Sequence, residues 1–202
     1  MTQHYFTPGP DDAPLKQVMI SWAGREIAWT VASGIFSAGG LDDGTRLLLE
    51  SLVLTSGQVV ADLGCGSGPL GLLPHLATPN LTTVLTDVNP TALRCAVANI
   101  RALGLQSAFA LVADGASALA TGHFDVVVTN PPIRAGRKVV EDIFRGGAAS
   151  LKGGGSFYMV VRVQQGGWTL ADRLEEHLGS APELVRRRKG YLVFRGRKAE
   201  PI

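Results

Sequence analysis

Cysteine is nearly absent from this sequence. Cys65 and Cys95 are the only two among 202 residues. Two thiols cannot staple a chain of this size, so a disulfide-built scaffold is ruled out and free thiols are expected. Histidine is almost as sparse. His4, His75, His123 and His177 are scattered, without the spacing of a zinc site, and no metal is expected. Charged residues make up only 18% of the chain, too few for a solvated, disordered polymer. No apolar run reaches the roughly 18–20 residues of a membrane span, so no membrane partner is expected. The start, Met1 to Phe6, is not a basic segment followed by an apolar one. No signal peptide is visible, and the expected compartment is the cytoplasm. Internal repeats and low-complexity linkers are missing too. The chain therefore reads as a single domain over 1–202, with a hairpin and helix extension over 1–55 and the core over 56–202.

What is present is apolar: 46% hydrophobic residues, ample for a buried core. The net charge of +2 is unevenly spread. Residues 1–101 carry 5 Lys and Arg against 8 Asp and Glu, and residues 102–202 carry 14 against 9. Three basic runs stand out: Arg134/Arg137/Lys138, Arg186 to Lys189, and Arg195/Arg197/Lys198. A basic half suits a polyanion such as RNA. The competing reading is a solvated strand edge blunted by cations.

Residues 7–14 are turn chemistry. Val18 to Trp22 and Glu26 to Val31 flank Ala23-Gly24-Arg25 and read as a β-hairpin. Trp22 and Trp29 are expected to face each other across it. Ser33 to Gly44 is a Gly-rich loop and Thr45 to Val53 a helix. Strands are expected at Val59 to Leu63, Thr82 to Thr86, Ser107 to Ala113, Phe124 to Thr129, Ser156 to Val163, Glu183 to Arg188 and Tyr191 to Arg195. Helices are expected from Asn89-Pro90 to Leu103, from Lys138 to Leu151 and from Leu170 to Leu178, with one more after the Gly-rich turn that Pro74 should end near Leu73. Strands alternating with helices make an α/β fold: a doubly wound, seven-stranded, mostly parallel sheet. The last two strands are too close for a crossover helix and must form a C-terminal antiparallel hairpin. The first hairpin is then an N-terminal β-hairpin extension. Ligands of such sheets bind beyond the carboxyl ends of the strands, at the switch point.

The first of those ends is Asp62-Leu63-Gly64-Cys65-Gly66-Ser67-Gly68. The glycines permit a tight turn and close backbone approach to a ligand. Gly66-x-Gly68-x-x-Gly71 fits a dinucleotide fingerprint, and Asp62-x-Gly64-x-Gly66-x-Gly68 fits the S-adenosylmethionine pattern. Asp87, 21 residues past Gly66, could hold ribose hydroxyls in either case. An ionised Asp62 beside a pyrophosphate would be repelled, which leans toward S-adenosylmethionine. Cys65 reads as a small residue filling the turn and Cys95 as core.

The fourth strand ends in Asn130-Pro131-Pro132-Ile133. Two prolines fix the backbone and remove two donors, leaving carbonyls that point outward as pure acceptors. Asn130 adds a side-chain oxygen. Two convergent acceptors suit an exocyclic amine. Holding both its hydrogens off the ring plane localises the nitrogen lone pair for attack on a methyl group, which is catalysis by positioning. A nicotinamide-dependent oxidoreductase has no use for this loop.

With these motifs the sequence resembles the class I S-adenosylmethionine-dependent methyltransferases, in their amino-methylating branch. More narrowly, it resembles the RsmC-like ribosomal RNA guanine-N2 methyltransferases. The resemblance includes His4 to Phe6, Ser33 to Ser37, Leu41-Asp42-Asp43-Gly44-Thr45, Asp62 to Gly68, Asp87-Val88-Asn89, Asn130 to Ile133 and Lys189-Gly190-Tyr191. It implies a Rossmann-like fold, S-adenosylmethionine as cofactor, and ribosomal RNA or a ribosomal subunit as partner of a monomer or homodimer. It implies that Asp62, Gly64, Cys65, Gly66 and Gly68 line the methionine and ribose, that Asp87 and Val88 meet the ribose, and that Asp114 and Gly115 meet the adenine. Asn130 and the Pro131 carbonyl, with Pro132 and Ile133, would hold the target amine, under a Gly34–Ser37 loop carrying Phe36. Arg134, Arg137 and Lys138 would touch RNA phosphate. The pattern departs from the family in two ways. Larger members carry a second, duplicated domain that helps grip RNA. Ile133 stands where many relatives place an aromatic, and Phe36, Phe6 or Tyr5 could supply the stacking instead. Adenine N6, a protein glutamine amide, and an assembly factor without turnover remain as alternatives.

Overall fold

The computed structural model describes residues 13–33 and 41–200. The hairpin is β1 (Leu15–Trp22) and β2 (Arg25–Ala32), joined by Ala23 and Gly24, both at positive φ as a type I′ turn requires. Its register pairs Val18 with Trp29 and Trp22 with Arg25. The two tryptophans therefore do not face each other, contrary to the sequence reading. Trp29 is fully buried in the core, and Trp22 packs against the rim of the same cluster.

Helix α1 (Asp43–Leu49) begins two residues earlier than the pattern suggests, because Asp42 caps it. It also ends earlier, where Ser51 Oγ donates to the Leu47 carbonyl and the chain leaves in tight turns. The sheet strands are β3 (Val59–Leu63), β4 (Thr82–Asp87), β5 (Ala108–Val112), β6 (Phe124–Thr129), β7 (Leu151–Arg162), β8 (Glu183–Arg188) and β9 (Tyr191–Arg197). The intervening helices are α2 (Pro69–Leu72), α3 (Pro90–Ala102), α4 (Arg137–Ser150) and α5 (Gly167–Leu178). Pro74 ends α2 as expected, and a short 3₁₀ turn over Leu73–Leu76 follows. β7 starts five residues before the expected Ser156. Its Gly153-Gly154-Gly155 run reads as loop in sequence but lies at a register shift opposite Phe124 and Val126.

The strand order is β5-β4-β3-β6-β7-β9-β8, parallel except for β9, which is antiparallel to both β7 and β8. The winding reverses between β3 and β6, which are neighbours. β5 forms one margin of the sheet and β8 the other. One core lies between the sheet and the hairpin, α1, α2 and α3, around Trp29, Leu47, Leu48, Leu72 and Leu85. The second lies under α4 and α5, around Leu63, Phe144, Phe157, Leu174 and Phe194. Asn99, 1% exposed on the apolar face of α3, ties the first core together. Its Oδ1 accepts from Thr30 N at 2.7 Å, and its Nδ2 donates to the carbonyls of Thr30 and Ser67, both at 3.0 Å. The hairpin is thereby bonded to the turn after β3.

Among the described residues, no helix is long and apolar enough to cross a membrane, and no three His, Cys, Asp or Glu side chains gather as metal ligands would.

Candidate functional site

The turn after β3 is shaped by backbone need. Gly68 sits at φ 89°, and a Cβ there would come within 2.8 Å of Leu85 and 2.9 Å of Leu72. Only glycine fits both the angle and the space. Gly64 and Cys65 donate their N–H groups to the Thr86 carbonyl at 2.9 Å, binding the turn to β4. Ser67 Oγ accepts the Trp29 indole N–H at 2.9 Å.

Two carboxylates frame this turn. Asp87 Oδ2 accepts from Gly66 N and its Oδ1 from Asn89 N, both at 2.9 Å. Asp87 thus braces the turn against the start of α3 while keeping lone pairs for a ligand. Burial holds its carboxyl above the usual carboxylate range, against backbone N–H bonds from Asn89, Gly66 and Val88. Asp62 lies beneath the turn and is wholly buried. Its Oδ2 accepts from Gly71 N at 2.9 Å, while Oδ1 has no partner among the described residues. Desolvation pushes its pKa up to about 7, with the Gly71 bond pulling down and the charge of Asp87 adding to the rise. Asp62 therefore supports the turn from below rather than lining an open wall. An unpartnered, buried carboxylate oxygen is a costly arrangement that a donor or a cation would relieve.

Cys65 is buried, with Sγ 3.5 Å from the Gly66 carbonyl. Burial and the nearby Asp62 and Asp87 charges push its thiol well above the ordinary range, so it fills space rather than acting as a nucleophile. Val88 is half-buried beside Asp87. Asp114 lies two residues past the end of β5 and is exposed. Gly115 follows, its carbonyl accepting from Thr86 Oγ1 at 2.7 Å.

One strand over, β6 delivers the Asn130–Ile133 loop. Leu63 and Thr129 are register partners, and Thr129 Oγ1 donates to the Leu63 carbonyl at 2.8 Å. The two loops therefore leave adjacent strands side by side at the switch point. Pro132 has φ −76° and ψ 75°, and Ile133 N donates to the Pro131 carbonyl at 2.9 Å, an inverse γ-turn. Both proline carbonyls already accept one backbone bond within the loop. Pro131 spends one lone pair on Ile133 and Pro132 one on Ala135 N, so each keeps a single acceptor direction. Asn130 is exposed, with Nδ2 3.2 Å from Thr45 Oγ1 on α1. Ile133 is half-buried at the mouth of an open groove of about 290 Å³ between α4 and α5, which Arg137 and Arg173 also line.

The basic runs divide. Arg134 and Arg137 are exposed at the loop and at the start of α4. Lys138 is partly engaged by Asp142 at 2.6 Å. The run at 186–189 faces α1, where Glu50 takes Arg186 at 3.1 Å and Arg188 at 3.3 Å, and Asp43 takes Lys189 at 3.1 Å. Arg195 pairs with Glu183, and Lys198 donates to the Ala149 and Leu151 carbonyls at the end of α4. Two of the three runs thus hold the C-terminal strands in place. Arg187 and Arg197 in those two runs remain exposed, as do Arg134 and Arg137 beside the Asn130 loop.

Tyr5, Phe6 and the Gly34–Ser37 loop with Phe36 lie outside the described residues. Sequence reasoning gave no role to Asp42, Thr45, Asn99, Arg162 or Tyr191. An acidic cap before α1 and a lone amide on the apolar face of α3 were the signals present for two of them, Asp42 and Asn99.

A doubly wound sheet with a glycine turn and an Asn-Pro-Pro loop paired at its switch point defines the Rossmann-like methyltransferase class. The chain belongs to the methyltransferase small domain family, whose model matches residues 26–195. It is 32% identical to Bacillus subtilis YbxB, an uncharacterised protein, over 98% of this chain and 100% of that one. It is 37% identical to the ribosomal RNA small subunit methyltransferase C of Shewanella piezotolerans, over 63% of this chain and 37% of that protein. It superposes on the Thermus thermophilus 16S rRNA N2 G1207 methyltransferase (RsmC), solved in complex with AdoMet and guanosine, with a TM-score of 0.81 and 27% identity. That match covers 94% of this chain but 52% of the Thermus chain. The chain thus spans about half or less of these named methyltransferases.

Proposed function

We propose that the chain is an S-adenosylmethionine-dependent methyltransferase that acts on the exocyclic N2 of a guanine in ribosomal RNA. The observation that carries this reading is the adjacency of the glycine turn and the Asn130 loop on strands joined through Leu63 and Thr129. The residues suit the cofactor. The glycine turn admits close backbone approach, Asp87 keeps acceptor capacity for ribose hydroxyls, and the unpartnered Asp62 Oδ1 beneath the turn suits the methionine ammonium through a bridging water. Gly64, Gly66, Gly68 and Cys65 form the turn, and Val88, Asp114 and Gly115 stand toward the adenosine end. When bound, S-adenosylmethionine supplies a methyl group on a positively charged sulfur.

Asn130 Oδ1 and the remaining lone pair of the Pro131 carbonyl accept the two N–H bonds of the target amine. Drawn out of the ring plane, the nitrogen keeps its lone pair and forms the new C–N bond as the C–S bond breaks. The electron pair of that bond stays on sulfur, and the surplus proton leaves the nitrogen for water. No side chain need remove a proton first, which matches a loop with no imidazole or thiolate beside it among the described residues. Ile133 packs against the base, and Arg134, Arg137 and Lys138 meet flanking phosphates. The likeness to a guanine-N2 enzyme over nearly the whole chain supports guanine over adenine N6 or a glutamine amide.

The test is incubation with methyl-labelled S-adenosylmethionine and separate pools of small-subunit RNA, large-subunit RNA, assembled subunits and release factors. Label recovered as N2-methylguanosine is the expected result. Label in adenine or protein keeps the chemistry and overturns the substrate. Cofactor binding without transfer to any pool supports the assembly-factor alternative.

A further inference from the structure

Asn130 has the same shape whichever way its amide points, but the two ends behave oppositely. The oxygen accepts from an amine, and the NH₂ repels one. Something must select the orientation. In this structure the selection runs through α1. Asp42, the N-cap, uses Oδ1 to accept the backbone N–H groups of Gly44 and Thr45, both at 2.9 Å. Its Oδ2 lies 2.6 Å from Thr45 Oγ1. Thr45 is 3% exposed, and Asn130 Nδ2 lies 3.2 Å from the same hydroxyl.

The direction of each bond follows. A carboxylate carries no hydrogen, so the single hydroxyl hydrogen of Thr45 goes to Asp42. Only lone pairs then face Asn130, which must present its NH₂ to them. The amide oxygen is left for whatever approaches from the loop side. The N-terminus of α1 is itself held. A Cβ on Gly44 would come within 2.7 Å of the Tyr191 ring, and the Arg162 guanidinium stacks 4.6 Å from that ring's centre while donating to its hydroxyl. Lys189 grips Asp43 from the same strand turn.

We propose that Asp42 and Thr45 are positioning residues that fix the polarity of the Asn130 amide, so that its oxygen and not its NH₂ meets the target amine. The inference rests on the reading of Asn130 as the amine acceptor. It extends the site from one loop to Thr45, 85 residues earlier in sequence, and through it to the cap of α1.

Asp42→Asn is the informative variant. Asparagine caps a helix about as well as aspartate, so its oxygen keeps the Gly44 and Thr45 bonds. Its NH₂ then occupies the position of Oδ2 and donates to Thr45. The threonine hydrogen is released toward Asn130, which turns over to accept it. No heavy atom is lost, yet the polarity of the relay reverses. Thr45→Val removes the relay without reversing it, and Thr45→Ser keeps it.

The experiment measures kcat and KM for methyl transfer to the RNA pool labelled by the wild type, S-adenosylmethionine affinity, thermal midpoint, and the ¹H–¹⁵N side-chain amide resonances of Asn130, assigned by their loss in Asn130→Ala. Expected is a fall in kcat of about tenfold for Thr45→Val and a larger one for Asp42→Asn, about the loss of one or two directed hydrogen bonds. KM, cofactor affinity and midpoint stay near wild type, the Asn130 amide resonances move in both variants without cofactor present, and Thr45→Ser matches the wild type. Wild-type kcat in Asp42→Asn, or unmoved Asn130 resonances, overturns the relay. Normal transfer by Asn130→Ala overturns the amine-acceptor reading and the relay with it, whereas an inactive Asn130→Ala beside a fully active Asp42→Asn removes the relay alone.

Discussion

Asn99 on α3 donates to the Ser67 carbonyl at 3.0 Å, joining a helix face to the turn that follows β3, 32 residues away. The same side chain makes both backbone bonds of Thr30 on β2, so one buried amide connects the hairpin, α3 and the glycine turn. Replacing Asn99 with Leu strands three buried backbone groups. At roughly 1–3 kcal/mol for each unsatisfied group, the expected loss is about 3 kcal/mol or more, read from the denaturation midpoint. S-adenosylmethionine affinity should fall with it, because Ser67 sits in the turn. A variant of wild-type stability would show that the hairpin docks independently of Asn99.

Asp62 gives the fold a pH dependence of unusual sign. Its folded pKa, about 7, lies above the ordinary carboxylate value of 3.8. The unfolded chain therefore ionises first as pH rises. The stability contribution is full below about pH 4 and is lost as pH climbs through about 7, with a ceiling of roughly 4 kcal/mol. Thermal midpoints of wild type and Asp62→Asn without cofactor should agree near pH 4 and separate by pH 8, the variant melting higher. Wild-type affinity for S-adenosylmethionine should tighten from pH 6 to pH 8, and Asp62→Asn should bind weakly with a flat profile.

Binding and transfer should separate by mutation. Asp87→Ala removes the acceptor of Gly66 N and Asn89 N and the proposed ribose partner, so S-adenosylmethionine Kd should rise tenfold or more by calorimetry. Asn130→Ala should leave that Kd within about twofold and abolish methyl transfer, because its loop neither braces nor forms the glycine turn. Equal losses of binding in both variants would mean that the two loops are not functionally distinct.

The charge runs make opposite predictions for salt. Arg137→Ala should weaken RNA binding and lower the slope of log affinity against log salt by about one. Glu50→Gln should raise that slope, because Arg186 and Arg188 lose their shared partner and become available to phosphate. The stability cost of Glu50→Gln should stay within about 1 kcal/mol, as is usual for exposed ion pairs.

The alternation of strand and helix was legible because each β-α unit carries its own punctuation. Asn89-Pro90 opens α3 and Pro74 stops α2, and β6 and β8 have the expected limits. Boundaries moved where a local signal competed with a tertiary one. Three glycines hid the start of β7, and the cap on Asp42 advanced α1. The Asn130 loop and the glycine turn were visible as compositions, but their hydrogen bonds were not. Nothing in Asn130-Pro131-Pro132 announces that Thr45 orients the amide, since that contact spans 85 residues. Nor does an arginine run announce which of its members face a glutamate at the end of α1.

The two margins of the sheet are finished differently. β8 is fully exposed but studded with arginines and broken by a register shift, so another strand cannot lie flat along it. β5 shows Phe109, Leu111 and Val112 at 52, 40 and 63% exposure, with no described strand on its outer side. Self-association in concentrated or heated solution should therefore start at β5 rather than β8. A single lysine at Phe109 would guard that margin and improve solubility while leaving Val112, the register partner of Asp87, unchanged.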